Sequence, residues 1–201
     1  QPFGGEGLSG TGPKAGGPLY LHRLLARTPG PVLADGALSV NEGDETRAAD
    51  ATLAAFLEWL DGADLREQTV LDYGCGSGIL AIAAAKLGAR KVWAVDIDPQ
   101  ALLASDDNAS ENEIEDRIEL ADPAELPGNL RVNVLLANIL AGVLVRLAPE
   151  FSRRVQSGGR LVLAGILEQH ADAVQAVFTR DFTFVPPRRR GDWVLLEGTR
   201  R

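Results

Sequence analysis

The segment D-Y-G-C-G-S-G, residues 72–78, places glycine at every second position directly after an apolar run that ends in a carboxylate. Glycine removes a side chain and admits positive φ, so backbone there can approach a ligand or turn tightly. Three uses suit such a loop: cradling a phosphate, holding some other nucleotide-like ligand, or making a turn with no ligand at all. The spacing separates the first two. The dinucleotide fingerprint is G-x-G-x-x-G, whereas Gly74 and Gly76 are followed by Gly78, and Ile79 stands where the third glycine should fall. Asp72 would repel a pyrophosphate and attract an ammonium or a sulfonium. The expected ligand is therefore a nucleoside with a cationic tail, a description that S-adenosylmethionine meets. A helix starting near Gly78 would turn its free N–H groups and positive dipole end to the same place, where a carboxylate gains about 0.3–1 kcal/mol.

Further polar residues follow other apolar runs. Asp96 ends "VWAVD", where a carboxylate can accept from both hydroxyls of a ribose in charge-assisted bonds of about 1.5–3 kcal/mol. Its other use would be as a helix N-cap, but Asp98 before Pro99 already fills that role. Ile97 could pack on an adenine face. Asp122, in "ELADPAEL", is placed to accept from an adenine amino group, or simply to start a turn with Pro123. Asn138 ends "VLLAN" and offers a donor and an acceptor. It could hold a substrate nitrogen or the amino-acid end of a cofactor, or cap a helix. Cys75 reads as a small loop residue, since a nucleophile would want a nearby base and none is evident.

The elements that would carry these residues alternate. Leu53, Phe56, Leu57 and Leu60 recur at helical spacing before the stop signal Gly62. Strands are expected at "TVLDYG", "KVWAVDID", "RIEL", "VNVLLAN" and "GRLVLAGI", with helices between them, one containing a possible break at Pro149. "FTFVPP" and "WVLLEGT" flank "RRRGD" and read as a hairpin. The alternation argues for an α/β, Rossmann-like, doubly wound parallel sheet, and the hairpin makes its last strand antiparallel. Residues 1–18 read as a flexible glycine-rich arm, 19–62 as a helical extension with a short helix in "LYLHRLLA" closed by Pro29-Gly30-Pro31, and 63–201 as the ligand-binding domain. "GTGPKAGG" in the arm lacks the ending and the preceding strand of a phosphate loop.

Taken together, "VLDYGCGSGILAIAAAKLGA", "VDIDPQAL", "ASDDNA", "LLANILAGVL" and "SGGRLVLAGIL" resemble the PrmA family of bacterial ribosomal-protein lysine methyltransferases, over about residues 52–199. The resemblance implies a class I methyltransferase with seven strands, the last antiparallel. It also implies S-adenosylmethionine as cofactor and amino groups of a ribosomal protein as methyl acceptors. The family's G-T-G-x-H-x-T-T segment corresponds here to residues of which Thr52 alone matches, with Asp50 at the histidine position, so a cofactor contact from that segment falls to Thr52. The family's separate N-terminal domain has no counterpart in the first fifty residues.

Composition narrows the rest. One cysteine excludes an internal disulfide or a cysteine zinc cluster and fits a reducing, cytoplasmic setting. His22 and His170 have no metal-ligand spacing, so no metal is expected. The sequence lacks a membrane-length apolar run and a signal-peptide pattern. The net charge of −8 gives no sign of nucleic-acid binding and suits a basic protein substrate. The expected activity is methylation of a lysine or amino-terminal amine, with Asn138 as the catalytic residue. One rival is methylation of a nucleobase, glutamine amide or small molecule, although Ile139, Leu140 and Ala141 supply no aromatic to stack a planar group. The other is a cofactor-binding module without catalysis.

Overall fold

The computed structural model describes residues 44–201, so the expected arm and the short helix in "LYLHRLLA" lie outside the described residues. Helix α1 (Asp44–Asp61) leads into β1 (Thr69–Tyr73), α2 (Ile79–Lys86), β2 (Lys91–Val95) and α3 (Pro99–Glu111). Then come β3 (Ile118–Ala121), β4 (Val132–Asn138), α4 (Ala141–Arg154), β5 (Val155–Leu167) and α5 (Glu168–Phe178). The described chain closes with β6 (Phe182–Phe184), β7 (Arg188–Arg190) and β8 (Trp193–Arg200).

Seven strands form a continuous sheet in the order β3-β2-β1-β4-β5-β8-β6. The first five are mutually parallel, and β8 runs antiparallel between β5 and β6. The expected doubly wound sheet with an antiparallel last strand is what forms. The arginines of "RRRGD" are not a bare turn, however. They make β7, which pairs with Trp193–Leu195 across a turn at Gly191, whose φ is 57°.

Alternation along the central strands sorts side chains onto two buried faces. Val134 and Leu136 of β4 join Phe56, Trp59 and Leu60 of α1 and the alanines of α2. Leu135 and Ala137 join Leu144 and Phe151 of α4 and Phe178 of α5. Six consecutive residues of α2, Leu80–Ala85, are buried, and five of them are Ala or Ile, so this helix sits close against the sheet. That proximity fixes its N-terminus over the end of β1.

Helix α4 runs through Pro149 without the expected break. Proline removes one N–H, whose acceptor would be the carbonyl of Val145. Val145 is on the solvent side, so water can take that carbonyl in place of the missing bond. Strand β5 also starts earlier than expected: Val155 pairs with Val132 before a register irregularity, and regular pairing resumes at Arg160 opposite Val134.

Candidate functional site

Strand register brings the candidate residues to one edge of the sheet. Tyr73 pairs with Val95, and Val95 with Ala121, so Gly74, Asp96 and Asp122 each stand one residue beyond a shared row. Asp72 pairs with Leu136, which puts Asn138 level with Gly74. Thr52 comes from a different layer, buried on α1 one turn before Phe56.

The glycine loop folds back over the end of β2. The N–H groups of Gly74 and Cys75 both donate to the carbonyl of Val95, at 2.8 and 3.0 Å. The Gly76 N–H donates to Asp96 Oδ2 at 2.9 Å, and the Asp98 N–H to Asp96 Oδ1 at 3.0 Å. The Gly78 N–H closes the turn onto the Cys75 carbonyl. Asp96 thus ties the loop to the start of α3, and each of its oxygens keeps a lone pair for a further donor. As expected, Asp98 is the N-cap of α3 and accepts from the Gln100 N–H at 2.9 Å.

All three loop glycines have positive φ: 78° at Gly74, 56° at Gly76 and 78° at Gly78. A Cβ on Gly74 would sit 2.5 Å from Ile139 Cγ2, and one on Gly78 would sit 2.9 Å from Ser105 Oγ. The absent side chains at these two positions therefore make room for other parts of the protein. Gly165, at the end of β5, does the same for β4: a Cβ there would lie 2.7 Å from the Ile139 carbonyl oxygen and 3.2 Å from Asn138 Oδ1.

Asp72 is buried under the loop. Its Oδ2 accepts from the Ala81 N–H of α2 at 3.0 Å, and its Oδ1 has no partner among the described residues. Burial pushes its carboxyl up to about 7, opposed by the Ala81 N–H and reinforced by the negative charge of Asp96. The Cys75 thiol is also pushed well up by burial, which keeps it protonated and fits its reading as a small, unreactive loop residue. The N–H groups of Ser77, Ile79 and Leu80 have no acceptor among the described residues. They form a cluster of open donors where α2 begins.

The remaining candidates occupy the rim. Ile97, next to Asp96, is 80% exposed, which leaves its aliphatic side chain open to contact. Asp122 does start a turn, accepting from the Ala124 N–H at 2.7 Å through Oδ1. Asn138 is not a helix cap: the N-cap of α4 is Leu140, without a side-chain bond. Its amide is half-buried at the end of β4, opposite Ala164.

Two residues escaped the sequence reading. Ser105 of α3, buried, donates from Oγ to the Gly76 carbonyl at 2.9 Å and lies 3.6 Å from Cys75 Sγ. Asn108, one turn on, donates from Nδ2 to the Ser77 carbonyl at 2.9 Å. The available signal was the small-residue stripe Ala101, Ser105 and Ala109 at i, i+4 and i+8, the face along which α3 can approach another segment closely.

Among the described residues, no cluster of His, Cys, Asp and Glu is arranged to hold a metal, and no helix is long and apolar enough to cross a membrane.

Comparison with known proteins gives this edge a relationship. The family model for ribosomal protein L11 methyltransferase (PrmA) matches residues 49–201. The ribosomal protein L11 methyltransferases of Pseudomonas fluorescens (strain Pf0-1) and Methylococcus capsulatus are 54% and 55% identical over 151 residues, which is 75% of this chain and 51% of each relative. The chain therefore spans about half the length of these curated relatives. A crystal structure of the ribosomal protein L11 methylase from Lactobacillus delbrueckii subsp. bulgaricus superposes with a TM-score of 0.70 at 31% identity, covering 75% of this chain and 79% of that one. An RNA methyltransferase from Salinibacter ruber, solved with S-adenosyl-L-homocysteine, shares the fold at a TM-score of 0.59 and 19% identity, covering 72% of this chain and 89% of that one. On the match over residues 49–201, the chain belongs to the ribosomal protein L11 methyltransferase (PrmA) family.

Proposed function

We propose that the chain carries the S-adenosylmethionine-binding and catalytic part of a methyltransferase whose acceptor is an amino group of a ribosomal protein, L11 by family. The observation that carries this reading is the row at the sheet edge. It holds a carboxylate, open backbone donors and an exposed aliphatic side chain, the three chemistries that a ribose, an amino-acid carboxylate and a purine require. These residues fit the cofactor, which when bound supplies a methyl group already activated on a sulfonium.

Asp96 accepts from the ribose hydroxyls with its remaining lone pairs while its other lone pairs hold the loop. Ile97 covers one face of the adenine, and Asp122 accepts from the adenine amino group. The Ser77, Ile79 and Leu80 N–H groups and the positive end of α2 face the carboxylate of the amino-acid end. Gly74, Cys75, Gly76 and Gly78 give the loop its path, and Asp72 anchors the first turn of α2 beneath it. Thr52 adds a contact from α1. Asn138 orients the acceptor nitrogen through its amide oxygen, holding it in line with the transferring methyl; catalysis here is largely positioning. The acceptor amine releases its proton to water, since among the described residues no side chain at the row is placed as a base. The lone, buried thiol suits the reducing cytoplasm where ribosomal proteins are made.

Calorimetric titration of wild type and Asp96→Ala with S-adenosylmethionine tests the cofactor site. Losing the charged acceptor costs about 10- to 100-fold in affinity, and equal affinities would sink the ribose assignment. Mass spectrometry of ribosomal protein L11 after incubation with the chain and cofactor tests the acceptor. Unmodified L11 beside another methylated lysate protein would move the substrate elsewhere.

A further inference from the structure

The glycine loop is held from both sides, and the side provided by α3 determines which way its peptides point. Asp96 takes the Gly76 N–H, while Ser105 Oγ and Asn108 Nδ2, three residues apart on one face of α3, take the carbonyls of Gly76 and Ser77. No peptide bond among the described residues is cis, and a trans peptide sends its C=O and its N–H in opposite directions. Fixing the Gly76 carbonyl on Ser105 therefore sends the Ser77 N–H away from α3. That N–H has no acceptor among the described residues. Ser105 is itself constrained: it is buried, its hydroxyl proton is committed to the Gly76 carbonyl, and the protonated Cys75 thiol 3.6 Å away can donate to its oxygen. Gly78 lies so near that a Cβ there would sit 2.9 Å from its Oγ.

We propose that Ser105, seconded by Asn108, is a positioning residue that aims the Ser77 N–H at the carboxylate of the cofactor's amino-acid end. The inference rests on the S-adenosylmethionine reading of the site. Neither side chain touches the cofactor. Each acts by holding a carbonyl so that the opposite end of a peptide is presented. Without the Ser105 hydroxyl, the Gly76–Ser77 peptide is free to rotate its carbonyl to the side where the Ser77 N–H otherwise points, which puts a partial negative charge where the carboxylate should bind.

The test compares two ligands by calorimetry: S-adenosylmethionine and its decarboxylated analogue, which keeps the nucleoside and sulfonium but lacks the carboxylate. Ser105→Ala should lose about tenfold in affinity for S-adenosylmethionine, the scale of a hydrogen bond to a charged group, with less than about a twofold change for the decarboxylated ligand. Asn108→Ala, at a half-buried position that disturbs the core less, should show the same selective loss at smaller amplitude and serves if Ser105→Ala does not fold. In turnover, KM for S-adenosylmethionine should rise while kcat at saturation and KM for the protein acceptor stay unchanged. Equal losses for both ligands would mean that α3 only supports the loop, and no loss for either would mean that the peptide holds its orientation unaided; each overturns the proposal. Wild type binding neither ligand would overturn the cofactor reading itself, and this proposal with it.

Discussion

The buried carboxyl of Asp72 should leave a specific imprint on stability. Asp72 is fully enclosed, with one oxygen on the Ala81 N–H and the other without a partner among the described residues, and its carboxyl is pushed up to about 7 from an ordinary 3.8. Below pH 3.8 the folded and unfolded states both hold the proton. Between 3.8 and about 7 only the folded state holds it, so raising the pH favours unfolding by roughly 1.4 kcal/mol per unit. Above about 7 both states are ionised and the loss is complete. Across some three units this comes to about 4 kcal/mol, present at low pH and lost as pH rises through 7. Asp72→Asn keeps an acceptor for Ala81 but does not titrate. Its amide NH2 replaces the unpartnered oxygen at a cost of about 1–3 kcal/mol that is the same at every pH. The readout is therefore the difference in unfolding free energy between wild type and Asp72→Asn, from urea titrations at half-unit steps from pH 4.5 to 8.5. Subtraction removes the contribution of every other carboxylate. The wild-type value minus that of Asp72→Asn should fall steadily, by roughly 3 kcal/mol from pH 4.5 to about pH 7, and then level off. A difference that is flat, or that grows with pH, would mean that Asp72 is charged in the folded protein and would refute the account of its burial.

Two further outcomes follow from the loop. Gly74→Ala should destabilise by about 2–5 kcal/mol in urea unfolding, combining the positive-φ cost with the collision with Ile139. The double variant with Ile139→Ala should be less destabilised than the sum of the singles by about 1–3 kcal/mol, and strict additivity would show that the clash is relieved some other way. Cys75, buried and with its thiol pushed well up, should resist an aromatic disulfide reagent at pH 8 until urea unfolds the chain; prompt labelling of the folded protein would contradict its placement.

Much of this architecture was legible because its causes are local. An apolar run that stops at a carboxylate marks the end of a buried strand, which located Asp72 and Asp96 without any tertiary knowledge. Asp98 before Pro99 is a cap written within three residues, and it forms as read. The features that were not legible depend on contacts distant in sequence. Ser105 and Asn108 meet the loop across 29 and 31 residues, and nothing inside "ASDDNA" states which carbonyls it will meet. Pro149 looked like a break because the rule concerns the lost hydrogen bond, whereas the outcome depends on whether solvent can reach the abandoned carbonyl. The arginines of β7 looked like a turn because charge and a following Gly-Asp suggest one, yet an edge strand tolerates charge readily.

The same distinction changes the meaning of the glycines. From the sequence, three absent side chains suggested space for a ligand. In the structure, Ile139 and Ser105 take the space at Gly74 and Gly78, and positive φ accounts for the choice of residue at all three. The loop is thereby shaped by the protein's own contacts: Val95 and Asp96 hold its N–H groups, and Ser105 and Asn108 hold its carbonyls. A loop ordered during folding leaves less conformational entropy to lose when a ligand arrives. What it leaves for the ligand is the set of backbone donors that the clamps do not use. Affinity at such a site should therefore respond more to residues behind the loop than to the side chains on it. Exchanging Ser77 for alanine leaves every one of these hydrogen bonds in place, since the residue takes part in them through its backbone alone, whereas exchanging Ser105 removes one of them.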